Sequence, residues 1–207
     1  MTVLEIVERA RSRTVSRIKD AIETRSLRTK VHTEPAIRAK DGALAYAPDG
    51  LKLPLRWDFY ALGEPDEKNA DSLTLKLVEP ASAEWGSDMQ IEFISVCWDC
   101  MIFRLSPARS DEDWTWLSSW FMRWFDADDQ KQKDSDGLYR VVHFISDPEP
   151  EEGASRFFVD FGSAETGAFM DLLDRVSEQG YTRCVIGDEK QPQPTGADKA
   201  DKSACLT

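Results

Sequence analysis

The sequence lacks the features that would assign it at once to a large class of proteins. It has no run of 18 apolar residues, and the P-loop, HExxH and GxSxG patterns are absent. Histidine is scarce, with two residues, and four scattered cysteines cannot form a disulfide framework in a chain of 207 residues. These absences argue against a membrane-spanning helix, a common nucleotide or hydrolase site and a disulfide-rich secreted domain.

Positive charge is also in short supply. The chain has 26 Lys and Arg against 38 Asp and Glu, which gives a formal net charge of −12 and a pI near 4.7. An acidic surface repels phosphate backbones and anionic lipids, so we expect neither nucleic acid nor membrane as a partner. Charged residues also interrupt the N-terminal segment where a secretory signal would be apolar, and a cytoplasmic location is expected.

The composition predicts three regions along the chain. Residues 1–50 read as an N-terminal helix, with a capping-box spacing of Thr2 and Glu5, followed by a polar connector. Residues 51–188 hold most of the apolar and aromatic residues and are predicted to form an α+β domain. Residues 189–207 are polar and lack aromatic side chains, so we expect a disordered tail.

Periodicity within the central region predicts an antiparallel sheet with two helices on one face. The helices are expected at 111–125, after an N-cap at Ser110, and at 164–179, after an N-cap at Ser163. The run 89–105 is too long for one ordinary strand, and it either turns at Trp98 and Asp99 or forms one bulged strand. From residue 89 the order is strand, helix, strand, strand, helix, strand, which resembles the split βαβ pattern of ferredoxin-like domains, here preceded by extra strands and the N-terminal helix. The strands are predicted at 52–62, 72–80, 89–96, 137–148, 155–163 and 181–188.

Two cysteines and one histidine are the candidates for chemistry. Cys97 and Cys100 have the CxxC spacing of a redox disulfide or half a zinc site, but apolar strand-like sequence flanks them, which favours buried structural thiols. His143 lies in an apolar predicted strand without a nucleophile motif nearby, so a core histidine is favoured over a catalytic base. No catalytic residue and no cofactor is predicted.

A tryptophan-rich helix next to acidic segments is the candidate binding surface. The helix at 111–125 carries more aromatic residues than one buried stripe needs, so some should reach the surface, where tryptophan is common in interface hot spots. The alternative is that the N-terminal segment covers them. The candidate binding residues are the anchors Trp116 and Trp120 and the acids Asp126, Asp128, Asp129, Asp147, Glu149, Glu151 and Glu152.

The sequence therefore favours a non-enzymatic, acidic, cytoplasmic protein that binds a basic protein partner. A bacterial immunity, antitoxin-like or secretion-chaperone role would suit such a surface. The alternative is a small enzyme or ligand-binding domain that uses Cys97 and Cys100 or His143. The oligomeric state is not readable from the sequence.

Overall fold

The computed structural model describes residues 2–46, 50–63, 74–109 and 113–187. The first helix, α1 (Val3–Ser26), begins with the predicted capping box, in which the Thr2 hydroxyl accepts from the Glu5 amide at 3.2 Å and the Glu5 carboxylate accepts from the Thr2 amide at 2.7 Å. The other helices are α2 (Thr115–Phe125) and α3 (Thr166–Glu178). None of these three helices is both long and apolar enough to cross a membrane.

Of the two predicted N-caps, Ser163 is wrong and Ser110 is not among the described residues. The N-cap of α3 is Glu165, because the hydroxyl of Ser163 accepts instead from the Arg140 amide at 2.9 Å. The helix α2 begins after Trp114, and the predicted cap Ser110 lies outside the described residues.

Nine strands are described in two sheets. The small sheet pairs β1 (Val31–Thr33) with β2 (Phe59–Ala61). The large sheet has the order β3-β4-β9-β5-β8-β6, with β7 paired to β8, and every neighbouring pair is antiparallel except β4 and β9. The predicted class, α+β with a mostly antiparallel sheet, is confirmed. The strands of the large sheet are β3 (Thr74–Trp85), β4 (Met89–Cys97), β5 (Met101–Ser106), β6 (Phe144–Ile145), β7 (Glu149–Glu151), β8 (Ala154–Asp160) and β9 (Arg183–Ile186).

The long apolar run turns at the predicted place, but it does not form a hairpin of paired strands. The Cys100 amide donates to the Cys97 carbonyl at 3.2 Å and reverses the chain between β4 and β5. The strand β9 lies between them, and its Cys184 and Ile186 are fully buried. Trp98 is also fully buried within the turn, where it stacks on Phe161 with ring centroids 4.6 Å apart. The apolar tryptophan and the inserted strand explain why the run is hydrophobic throughout.

The main core lies between the large sheet and the three helices. Phe93, Phe103 and Phe157 of the sheet belong to one buried cluster with side chains of α1, α2 and α3, and Phe103 and Phe157 stack at 5.2 Å. Trp120 of α2 is part of this core, since it is 2% exposed and its indole donates to the Ala168 carbonyl at 3.2 Å. The three helices therefore share one face of the sheet.

The polar segment 31–58, described over residues 31–46 and 50–58, packs along the edge of the body in those parts and contains buried charged residues there. Isolated bridges pair Ala36 with Arg56 and Tyr46 with Pro54. Ile37, Leu55 and Trp57 form a small core of their own, against which Phe144 of β6 packs. The boundary predicted at residue 50 stays a prediction, and the predicted tail 189–207 lies outside the described residues.

Candidate functional site

His143 lies where an irregular segment enters the edge strand β6. The sequence predicts a strand over 137–148, but only Phe144–Ile145 is regular, and Val141, Val142 and His143 are all buried. The His143 amide donates to the Asp160 carbonyl at 2.9 Å, and its own carbonyl accepts from the Arg56 amide at 2.9 Å. These backbone bonds fix the imidazole between strand β8 and segment 31–58, with no exposed surface.

Three carboxylates surround this ring. The Nε2 atom of His143 lies 2.8 Å from Oε1 of Glu34, and Nδ1 lies 3.0 Å from Oδ1 of Asp58. The Nδ1 atom makes no hydrogen bond of acceptable geometry despite that short distance, so the contact is an ion pair rather than an aligned hydrogen bond. One ligand atom from each of Asp58, His143 and Asp160 lies within 4.8 Å of the others.

Backbone contacts place the carboxylates. Glu34 has a left-handed backbone with φ of 44°, its amide donates to the Asp58 carbonyl at 2.9 Å, and its second carboxylate oxygen accepts from the Tyr139 amide at 2.6 Å. Asp160 accepts from the Gly162 amide at 2.9 Å. Gly162 itself is required, because it has φ of +50° and a Cβ there would lie 2.3 Å from the His143 ring.

Arg56 connects this cluster to the end of α2. Its side chain is buried, and the guanidinium donates to the backbone carbonyls of Glu34, Phe125 and Asp126 at 2.7 to 2.9 Å. It also pairs with Asp129 at 2.5 Å and lies over the Phe125 ring at 4.8 Å. The guanidinium thereby satisfies carbonyls at a helix C-terminus, which favours cations.

The carboxylates favour the charged form of His143. Burial acts to lower the pKa, but the contacts with Asp58 and Glu34 and the charge of Asp160 outweigh it, so the pKa rises from 6.5 to about 10. In the absence of any other cation, the ring is therefore an imidazolium held between acidic side chains.

The two predicted cysteines lie elsewhere, at the turn between β4 and β5. Cys97 is buried and its thiol donates to Asp99 at 3.1 Å, while Asp99 forms an ion pair with Arg17 at 2.9 Å. A hydrogen bond with Cys100, burial and the nearby Asp99 raise the pKa of the Cys97 thiol, which keeps it protonated. Both cysteines are reduced, and within the described residues they do not join a cluster of three metal-ligating side chains.

The predicted binding residues are spread over the surface and the core. Trp120 needs correction, since its burial removes it from any partner in this conformation, whereas Trp116 is half-buried. Asp128 and Glu152 are exposed. The other five acids make contacts within the chain: Asp126 with the amides of Gln130 and Lys131, Asp129 with Arg38 and Arg56, Asp147 with the Leu51 amide, Glu149 with Arg156, and Glu151 with Arg104.

Sequence reasoning identified His143 but missed the residues around it. Glu34 stands in the predicted polar connector and Asp58 stands within the strand predicted at 52–62, and no fixed spacing links them to residue 143. Asp160 stands in an Asp-Phe-Gly triplet that has no kinase context. The only signal available was the rarity of acids inside apolar strands, which Asp58 and Asp160 both show.

Comparison of the chain with protein-family models, curated proteins and solved structures finds no significant match.

Proposed function

We propose that this chain is a non-enzymatic binding protein that takes a basic protein partner in the bacterial cytoplasm, in an immunity, antitoxin-like or secretion-chaperone role. The observation that carries the proposal is a half-exposed tryptophan pair on α2. The enzymatic alternative finds no support in the site geometry, because His143 and Cys97 are buried and the Cys97 thiol is held protonated.

The tryptophan pair has the chemistry of a binding anchor. Trp114 and Trp116 lie with ring centroids 5.8 Å apart, and Trp114 packs edge-on against Phe157 at 6.2 Å. Both are half-buried, and the indole nitrogen of Trp116 has no hydrogen-bond partner. That nitrogen atom is itself buried, so a partner would contact Trp116 through the accessible apolar part of the ring, as it contacts tryptophan anchors in hot spots.

Acidic side chains add the expected electrostatic attraction. Asp128 and Glu152 are exposed and form no ion pair within the described part of the chain, so their charge is available to a basic partner. Asp129, Glu149 and Glu151 are paired with arginines, which reduces their contribution. We therefore expect Trp116 to set how long the basic partner stays bound, and Asp128 and Glu152 to set how fast it associates.

We also propose the ferredoxin-like arrangement for residues 101–186. Four strands support it: taken along the chain as β5, β6, β8 and β9, they lie in the spatial order β9-β5-β8-β6, all antiparallel, with α2 after the first strand and α3 after the third. The first strand of this unit is then β5 rather than the strand predicted at residue 89.

Affinity capture followed by kinetics tests the proposed function. The full chain as bait should retain a basic protein from the source cells, and Trp116→Ala should raise its dissociation rate about 30-fold, the value of a 2 kcal/mol hot spot. Raising the salt concentration to about 0.5 M, or combining Asp128→Asn with Glu152→Gln, should instead slow association.

Thr115→Ala is the matched control, because Thr115 is exposed on the same helix turn. It should bind like the unmodified chain. The proposal is contradicted if no basic partner is captured. It is also contradicted if salt leaves the association rate of the partner unchanged and Trp116→Ala leaves its dissociation rate unchanged.

A further inference from the structure

We propose that His143, Asp58 and Asp160 form a binding site for a divalent transition-metal ion, with Glu34 as the residue that positions the imidazole. The site lies apart from the proposed binding surface on α2 and does not depend on it. It also departs from the sequence-based expectation of no cofactor.

The donor atoms are close enough to share one ion. Metal–nitrogen and metal–oxygen bonds to these residue types are about 2.0–2.2 Å, so two ligands of one ion lie about 3 to 4.4 Å apart. Nδ1 of His143 and Oδ1 of Asp58 are separated by 3.0 Å, and all three donors lie within 4.8 Å. The bound of 4.8 Å is slightly wider than that range, so ligation of one ion includes a small adjustment of the side chains.

The orientation of His143 suits ligation, with the ion taking the place of the Nδ1 proton of the imidazolium, which is released to solvent. Glu34 is a hydrogen-bond acceptor already engaged by the Tyr139 amide, so Nε2 must donate its proton to Glu34 across the 2.8 Å contact. This leaves Nδ1 facing Asp58, fully buried and without a hydrogen bond. A carboxylate that accepts from one ring nitrogen while the other binds the ion is the usual outer contact of a metal-ligating histidine.

The cluster is acidic as well as buried. The cluster combines three carboxylates with one imidazole, and each is at most a few percent exposed, with Asp160 the most exposed at 7%. Positive charge stabilises buried carboxylates, and a divalent ion on Nδ1 supplies more of it than the proton that the ion replaces.

The ligand types select the class of ion. Imidazole suits zinc, iron and nickel, whereas carboxylate oxygens are also accepted by manganese, and no thiolate is present to favour copper(I). One nitrogen and two carboxylates therefore suit Zn²⁺, Fe²⁺ or Mn²⁺ better than Ca²⁺ or Mg²⁺, which prefer all-oxygen sites.

Elemental analysis and thermal unfolding of the full chain test this site. The purified chain should contain about one equivalent of a transition metal. After chelation and dialysis, Zn²⁺ at about 100 times its dissociation constant should raise the melting temperature by about 5–10 °C, while Mg²⁺ should not.

Variants assign the effect to these residues. Asp160→Asn and, as a second ligand variant, Asp58→Asn should abolish the Zn²⁺ shift, and Glu34→Gln should weaken Zn²⁺ binding about 10- to 100-fold. Cys97→Ser should keep the full shift. Circular dichroism before Zn²⁺ addition identifies any variant that fails to fold. If the ligand variants do not fold, the weaker Zn²⁺ binding expected of Glu34→Gln is the test of the site. The proposal is overturned if the purified chain is metal-free and its melting temperature does not shift with Zn²⁺, Fe²⁺ or Mn²⁺. It is also overturned if the shift is lost in Cys97→Ser but kept in Asp160→Asn.

Discussion

His143→Ala is expected to lower the free energy of unfolding by about 3–5 kcal/mol, as removal of one member of a buried ion cluster does. The substitution leaves Glu34 and Asp58 buried without the imidazole between them and opens a cavity against Gly162. Chemical denaturation monitored by tryptophan fluorescence measures the change, with the metal-free form of each chain compared.

The exposed histidine provides the matched control. His32 lies on β1 and is exposed, so His32→Ala should change the free energy of unfolding by no more than about 0.5 kcal/mol. Combining His143→Ala with Asp58→Asn should cost less than the two single substitutions added together, because both remove the same contact. Equal, small effects of the two histidine substitutions would contradict a stabilising role for the cluster.

Stability of the metal-free chain should fall as the pH rises from about 6.5 to about 10. The pKa of His143 is raised from 6.5 to about 10 in the folded state, so its contribution is complete below the unfolded value and is lost as the pH passes through the folded value. For a fully buried group the loss should be on the order of several kcal/mol. Urea unfolding at a series of pH values measures it.

His143→Ala separates this effect from other groups that titrate in the alkaline range. The variant should be less stable at neutral pH but should show a shallower decline, so that the two curves converge towards pH 10. Parallel curves would show that His143 is neutral in the folded chain and that the alkaline decline arises elsewhere.

Local sequence signals were sufficient for the helices and the class of fold. The capping box at Thr2 and Glu5 is present, and the apolar spacing of 111–125 and 164–179 produced helices at Thr115–Phe125 and Thr166–Glu178. The position of β9 between β4 and β5 could not be predicted, because strand order depends on contacts between distant segments and not on periodicity.

The candidate site was less accessible to sequence reasoning than the fold. Its acidic members Glu34 and Asp58 are more than 80 residues from His143, and their burial results from the packing of the polar segment 31–58 against the sheet. Tryptophan content predicted a surplus of aromatic side chains on the second helix, but Trp120 is buried with its indole bonded to the Ala168 carbonyl, whereas Trp116 is half-buried. Helical spacing alone placed both on one wide stripe.

Amide hydrogen exchange tests most directly whether the His143 cluster holds segment 31–58 to the sheet. In the unmodified chain the amides of Glu34, Arg56 and His143 should be protected, because they donate to Asp58, His143 and Asp160 respectively. In His143→Ala these amides should lose protection by orders of magnitude while those of β4 and β5 stay slow. The account is contradicted if the amides of residues 31–58 keep their protection in His143→Ala. It is also contradicted if these amides already exchange as fast as in a free peptide in the unmodified chain.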